Sequence, residues 1–438
     1  MRILVVTSRW PWPARRGDQL RAHQLLAALA EVHEVTLLAP ATAGLPPPVP
    51  LAGSERYRPD PPYRRAFAVL RAFGRGEPIQ QSLFAAADLD RRCARLAPAA
   101  DLVVLQLVRL APCLRHLAGR PLLVDFIDCL SQNMERRAAF DRLLWGPLLR
   151  AEARRLARAE RRLLAASRCG VVIAERDRAA LAALAGPELA RRLGVIPLAV
   201  PPGPPPAPVT SGGQRLVLTG NLGYYPTREA ALWFLDEVWP AVRAVHPDAE
   251  LLLAGDRPPA ALRRAAGRAG ARLCASPASL AEAFQGATLA LAPMRAGSGV
   301  PVKVLEAWAA GVPVVASPEA AAGTTARPGE ELAVAGSAAE WVTVIGRLLA
   351  DPVERTRLAA GGRAEVAGSR QSVRVLGNAK SAYELSQTEI ALSGGRRVKL
   401  ADARDQDLLA FERLKLGLAD VRPLARAVKL SAIELNQP

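Results

Sequence analysis

Short apolar runs alternate along this chain with longer stretches in which apolar residues recur every three or four positions. Residues 2–7 (RILVVT) form a continuous apolar run, the pattern of a parallel strand buried on both faces. Residues 20–29 have helical spacing, and HEVTLLAP (33–40) predicts a second strand. DLVVLQ (101–106), PLLVDF (121–126) and GVVIA (170–174) predict three more. Residues 136–168 predict one long helix, with leucines 148, 149, 156, 163 and 164 on one face and arginines on most of the rest. Glu152 and Glu160 are expected to pair with some of those arginines. The proline-rich stretch 45–62 predicts a surface excursion.

After GVIPLAV (194–200), the run PPGPPPAPVTSGG leaves little room for a helix or a central strand and reads as a semi-rigid link. The alternation then restarts: LVLT (216–219), a helix over 227–242, AELLLAG (249–255), a helix over 260–270 and TLALAP (288–293). Two such series predict an α/β protein with two Rossmann-like, doubly wound parallel sheets facing a cleft. The expected organisation is an amino-terminal domain over 1–200, a linker over 201–212, a second domain over 213–370, a closing helix over 371–387 and a tail of unknown role over 388–438.

The 438 residues are too many for one ordinary core and suit two domains. A formal charge of +17 says that the surface attracts anions: nucleic acid, anionic lipid or phosphorylated substrates. Zinc-finger spacing is absent from the sequence and aromatic residues are not interleaved with basic ones, so nucleic acid is not an expected partner. The five cysteines are scattered and lack any CxxC pair, which fits a reducing, cytoplasmic setting. The first residues read as a strand rather than a signal peptide, and an uninterrupted apolar run of spanning length is not found. The basic amphipathic pattern of 136–168 leaves room for peripheral contact with an anionic membrane, at its inner face.

The chemistry concentrates in MRAGSGVPVKVLEAWAAGVPVVAS (294–317). The turn Gly297-Ser298-Gly299 leads into a helix carrying Lys303 and Glu306, and the helix ends at Gly311 before an apolar strand. A glycine loop at a helix start exposes backbone N–H groups backed by the positive end of the dipole, which suits a phosphate. Glu306 can accept hydrogen bonds from sugar hydroxyls. Gly220-Asn221-Leu222-Gly223 follows a strand and belongs at a sheet edge, with Arg228 nearby; as a bare pattern it is also a plain turn. In the first half, Gly17-Asp18 follows the first strand, and reads equally as a helix N-cap. VDFIDCLSQN places Asp125, Asp128 and Ser131 at or past a strand end, where carboxylates serve catalysis or cap the next helix.

The run from Lys303 to Ser317 resembles the donor-sugar segment of nucleotide-sugar glycosyltransferases of the GT-B fold, especially family 4: a small-residue loop, Leu-Glu-Ala, then Gly-x-Pro-Val-Val-Ala. The Gly-Asp loop followed by a basic residue is similar to a subgroup associated with exopolysaccharide assembly. The resemblance covers roughly 1–385. It implies a transferase that moves a sugar from a nucleoside diphosphate sugar to a hydroxyl acceptor with retention of configuration. Because no DxD-type pair sits at a predicted strand end in the second half, charge neutralisation is expected from the helix dipole and basic residues rather than a metal, and no cofactor is expected. The acceptor would be a glycan or a lipid-linked intermediate. By the same resemblance Glu306 holds the ribose, Gly297, Gly299 and Lys303 the sugar and diphosphate, and Gly220 and Asn221 the phosphates. Asp128 or Asp125 faces the donor sugar, while Gly17, Asp18 and Arg21 lie on the acceptor side, with Arg15, Arg16 and Arg21 placed to meet an anionic acceptor or the donor diphosphate.

Two departures from the family stand out. Where members carry an Arg after the first glycine of the 220 turn and a Lys six residues on, this chain has Asn221 and Thr227, so Lys303 and Arg228 are expected to supply the missing charge. Eight positions before Glu306, where much of the family has a second Glu, stands Ser298, a hydroxyl that cannot supply negative charge. A non-catalytic GT-B protein binding nucleotide or glycan in an assembly complex is therefore the alternative reading.

Overall fold

In a computed structural model of the chain, the described residues are 1–14, 16–117, 119–140, 145–200, 214–277, 280–295, 300–377, 389–391 and 397–399. The chain divides into two compact units, one built on Met1–Leu198 and the other on Ala199–Arg370.

The first unit runs β1 (Arg2–Val6), α1 (Gly17–Ala30), β2 (Glu34–Pro40), β3 (Gly53–Tyr57), α2 (Pro62–Arg75), α3 (Ile79–Phe84), α4 (Ala87–Leu96), β4 (Leu102–Gln106), β5 (Leu122–Ile127), α5 (Leu130–Phe140), α6 (Gly146–Ala165), β6 (Cys169–Val172), α7 (Glu175–Ala185), α8 (Pro187–Ala190) and β7 (Leu193–Val195). A 3-10 segment, Val108–His116, follows β4. The strands form a seven-stranded sheet ordered β3-β2-β1-β4-β5-β6-β7. Every pairing in it is parallel. The strand residues are apolar on both faces because helices cover both: Leu4, Val6, Val103, Leu105 and Val124 belong to one core layer, and Ile3, Val5, Val35, Leu37 and Val104 to the other.

The second unit runs β8 (Arg215–Thr219), α9 (Tyr225–Trp233), α10 (Trp239–Val245), β9 (Glu250–Gly255), α11 (Ala260–Arg268), β10 (Arg272–Ala275), β11 (Leu289–Ala292), α12 (Val302–Ala309), β12 (Val314–Ala316), α13 (Pro318–Ala321), β13 (Ala333–Val334), α14 (Ala338–Ala350) and α15 (Pro352–Gly377). Its six-stranded sheet, ordered β10-β9-β8-β11-β12-β13, is again parallel throughout. Trp239 and Trp341 are buried in its core, with Phe234 and Trp341 packed edge to face at 5.6 Å. Among the described residues of the tail, β14 (Glu389–Ala391) and β15 (Arg397–Lys399) pair antiparallel.

The structure corrects several sequence-based expectations. Residues 136–168 do not make one described helix: α5 ends at Phe140 and α6 starts at Gly146, with Pro147 in its first turn, where the missing N–H is not needed. Glu152 and Glu160 point inward rather than pairing with the arginines of their own helix. Glu152 accepts from the amides of Ile79 and Gln80 at 3.0 and 2.9 Å, satisfying the open amino end of α3. The 45–62 excursion contains β3, which is an edge strand and therefore shows alternating rather than continuous burial. The helix over 227–242 is interrupted by a π-turn at Phe234–Val238. Pro240 lies just past it and cannot donate to the preceding turn, so the backbone widens there.

Candidate functional site

Open parallel sheets take ligands at the carboxyl ends of their strands, where the strand order reverses. In the second unit that point lies between β8 and β11. β8 hands over to Gly220, whose φ of 129° strongly favours glycine. Its amide donates to the Ala254 carbonyl at 3.1 Å. A Cβ here would lie 3.3 Å from Lys303 Cε and 3.4 Å from Nζ, so the bare backbone is what lets the lysine approach. Gly255, at the end of β9, is equally constrained: its Cβ would sit 1.6 Å from the Gly220 carbonyl oxygen.

Lys303 is the second residue of α12. Its Nζ lies 3.3 Å from Thr227 Oγ1 and 3.3 Å from Met294 Sδ. Both groups are neutral, and burial lowers the ammonium's pKa to about 8, opposed by the Glu306 carboxylate. Glu306 is three residues on and shares the same side of the helix. Burial lifts its carboxyl to about 7, with Lys303 pulling it back. Both side chains retain solvent contact despite this crowding. Asn221 Oδ1 accepts from the Gly223 amide at 3.1 Å, so this side chain shapes the loop. Arg228 lies over the Tyr225 ring at 5.7 Å. Gly297, Ser298 and Gly299 lie outside the described residues.

At the corresponding edge of the first unit, β4 is followed by Leu107 at φ 70° and β5 ends in Ile127 at φ 64°, both positive. A β-branched side chain in this region is strained, and such strain concentrates at functional sites. The turn at Ile127 coincides with a register shift between Asp125 and Ile127 against β6. It separates two carboxylates that the sequence places three residues apart. Asp125 points into the core; Asp128 stays half-buried at the strand end.

Asp128 accepts from Asn133 Nδ2 at 2.8 Å. Desolvation first, then the neighbouring Asp177, raise its pKa to about 7; Arg109 and Asn133 oppose this and Asp18 adds to it. Although Asp128 keeps some accessible surface, the packed atoms around its carboxyl dominate. Asp177 accepts from the Cys129 amide at 3.1 Å, and its Oδ2 is buried without a hydrogen-bond partner among the described residues. Burial raises its pKa as well. Glu160, lifted to about 7 by burial, accepts from the Ser131 amide and hydroxyl at 3.1 and 2.5 Å. Ser131 is thus spent inside this cluster.

Gly17 and Asp18 open α1 rather than cap it; the N-cap is Arg16, whose side chain makes no capping bond. Asp18 is ion-paired to Arg9, and its carbonyl accepts from Gln106 Nε2 at 3.1 Å. The acceptor-side expectation for Arg21 and the catalytic one for Asp125 are corrected together. The two form a buried ion pair at 3.1 Å with no exposed side-chain surface on either, and Arg21 also donates to the Pro197 carbonyl at 3.4 Å. Charges held this way serve the packing of α1 on the sheet and are closed to a ligand. Arg15 lies outside the described residues. Glu331 is buried against Arg327 at 2.7 Å.

Sequence reasoning missed Asp177, Glu160, Asn133 and Arg109 around Asp128, and Met294 beside Lys303. Asp177 had a usable signal: it follows β6 within a few residues, as Asp128 follows β5. Glu160 had none, because a glutamate in an arginine-rich helix looks solvated.

Solved structures match across most of the chain. HepE of Anabaena, solved with UDP and glucose, is 14% identical, with 85% of this chain and 97% of HepE covered and a TM-score of 0.60. Sucrose-phosphate synthase of Thermosynechococcus elongatus is 19% identical, with 86% and 96% covered and a TM-score of 0.63. A UDP-forming α,α-trehalose-phosphate synthase of Burkholderia xenovorans is 14% identical, with 85% and 97% covered and a TM-score of 0.56. No curated protein matches the chain by sequence comparison. The fold is GT-B, and residues 213–351, which hold Gly220, Lys303 and Glu306, match the family described as glycosyl transferases group 1.

Proposed function

We propose that the protein is a glycosyltransferase that moves a sugar from a nucleoside diphosphate sugar to a hydroxyl acceptor. One observation carries the reading: within the segment that matches group 1 glycosyl transferases, Lys303 is packed against the bare backbone of Gly220, at the reversal point of the sheet. A cation with neutral contacts, beside a glycine that admits close approach, suits a diphosphate. Lys303 then stands in for the absent basic residue at Thr227, which it touches. Glu306 receives the ribose hydroxyls, and Gly297 and Gly299 the donor's phosphates or sugar. Asn221 shapes the phosphate loop and Arg228 adds charge to it. HepE, solved with UDP-glucose, supports a nucleotide-sugar donor.

In the first unit Asp128 is the group suited to proton transfer, since a carboxyl near neutrality can both take and return a proton. Gly17 and Asp18 belong to the acceptor side. The remaining parts of the proposal are a metal-independent reaction that retains configuration, glycan or lipid-linked acceptors in polysaccharide or glycolipid synthesis, and a cytoplasmic setting at the inner face of a membrane. The α12 dipole and Lys303 supply the charge stabilisation.

A binding role without catalysis is favoured by one observation, Ser298 in place of an acid eight residues before Glu306. The deciding experiment is a thermal-shift and hydrolysis screen of the purified protein against nucleoside diphosphate sugars, with Glu306→Ala beside it. Stabilisation and turnover by one donor, both lost in the variant, are expected. Stabilisation without turnover, even with lipid-linked acceptors added, establishes the binding role, and no response to any nucleotide sinks the site.

A further inference from the structure

The helix α2 turns its apolar side chains to water. Tyr63, Phe67, Leu70 and Phe73 are 69%, 69%, 72% and 57% exposed, whereas Ala72 is the one residue of the helix that is buried. The first three follow i, i+4, i+7 spacing and form one stripe, which a helix of a globular protein ordinarily gives to its core. Single exposed apolar residues are commonplace, but a contiguous stripe marks an interaction surface.

Arginines lie beside it. Arg71 and Arg75 of α2 border a cavity of about 700 Å³ whose other walls include Arg109 and, from α6, Arg155, Arg158 and Arg162. Arg155 lies over the Phe73 ring at 5.1 Å, and its Nη1 is buried without a hydrogen-bond partner among the described residues. Two acids, Glu77 and Asp90, line the same cavity, and Asp90 is already paired to Arg115. The wall is therefore net cationic.

The occupant must carry apolar surface and negative charge together. A second copy of the chain would set the same arginines against each other, and the 388–438 segment is itself net basic. We propose that α2 docks on an anionic phospholipid bilayer, with Tyr63, Phe67 and Leu70 in the headgroup–acyl boundary and a lipid phosphate in the arginine-lined cavity. The charge of +17 adds long-range attraction to such a surface. This gives the membrane-facing role to α2 rather than to residues 136–168, whose pattern left room for it, because Leu156, Leu163 and Leu164 of α6 are buried. The inference uses none of the donor-site residues and stands or falls apart from sugar transfer.

The test is co-sedimentation of the full chain with phosphatidylcholine vesicles, with and without phosphatidylglycerol. Binding only to the anionic vesicles is expected, and it should weaken as salt is raised. The double variant Phe67→Asp/Leu70→Asp should bind at least about tenfold more weakly, and Arg155→Gln/Arg158→Gln about fivefold more weakly per arginine removed. Both should keep the wild-type circular dichroism spectrum and the same thermal response to donor. Equal binding to the two vesicle types overturns the proposal, as does wild-type binding by the Phe67/Leu70 variant. Self-association without vesicle binding, lost in that variant, also overturns it and assigns the stripe to a second copy.

Discussion

The carboxyl-terminal edges of the two sheets hold buried ionisable groups in opposite arrangements. In the second unit a lysine and a glutamate share one helix, each moderating the other's shift, among neutral contacts. The first unit gathers like charges: Asp128, Asp177 and Glu160 are all raised by burial, and coupling to further carboxylates adds to the rise for Asp128 and Glu160. An opposite-sign pair can stay charged and hold an anion. A like-sign cluster is pushed towards neutrality, which suits moving a proton more than holding a charge. The sheet topology is shared; the sign of the neighbours differs.

The largest effect expected comes from a third arrangement, the closed pair Arg21–Asp125. Asp125→Ala strands a fully buried guanidinium and should destabilise the first unit by about 3–5 kcal/mol in denaturant titration. A loss below about 1 kcal/mol would mean that the pair is hydrated and open to ligand after all. Next, Lys303→Ala should lower donor turnover about 100-fold with little change in melting temperature. If turnover survives, the opposite-sign pair is structural.

The smallest effect distinguishes the two sites by the direction of their pH dependence. Asp128, raised from 3.8 to about 7, holds a proton in the folded state that the unfolded chain has released, so folding loses stability as pH rises through that window. Asp128→Asn should thus gain nothing below pH 3.8 and about 1–2 kcal/mol above pH 7, measured by urea unfolding. Lys303, lowered from 10.5 to about 8, behaves in the opposite sense: its cost is full below pH 8 and fades towards 10.5. Lys303→Met should gain stability below pH 8 and lose the gain above it. The same slope in both variants would dissolve the distinction between the sites.

The fold was legible where a strand carries an uninterrupted apolar run, as in β1, β4 and β8, and not at the edge strand β3, whose GSERY carries no such run. Within 294–317, α12 and β12 were legible because a run of helical spacing that carries Lys303 and Glu306 stops at Gly311 before an apolar strand. Asp125 and Asp128 looked interchangeable, since nothing in VDFIDC announces the turn at Ile127, φ 64°, or that Asp125 is closed into the core while Asp128 past the turn stays half-buried. Arg21 looked like an acceptor-side charge for the same reason: its partner Asp125 is 104 residues away.

By itself, then, the sequence determined what local patterns encode: two series of parallel strands and a helix carrying Lys303 and Glu306. Which charges are open and which are closed was decided only by tertiary structure. Burial and partner sign belong to pairs distant in sequence, such as Arg21 with Asp125, Asp128 with Asp177, and Lys303 with Gly220. A residue's charge is written in its side chain, but the cost of carrying it is set by what the fold packs around it.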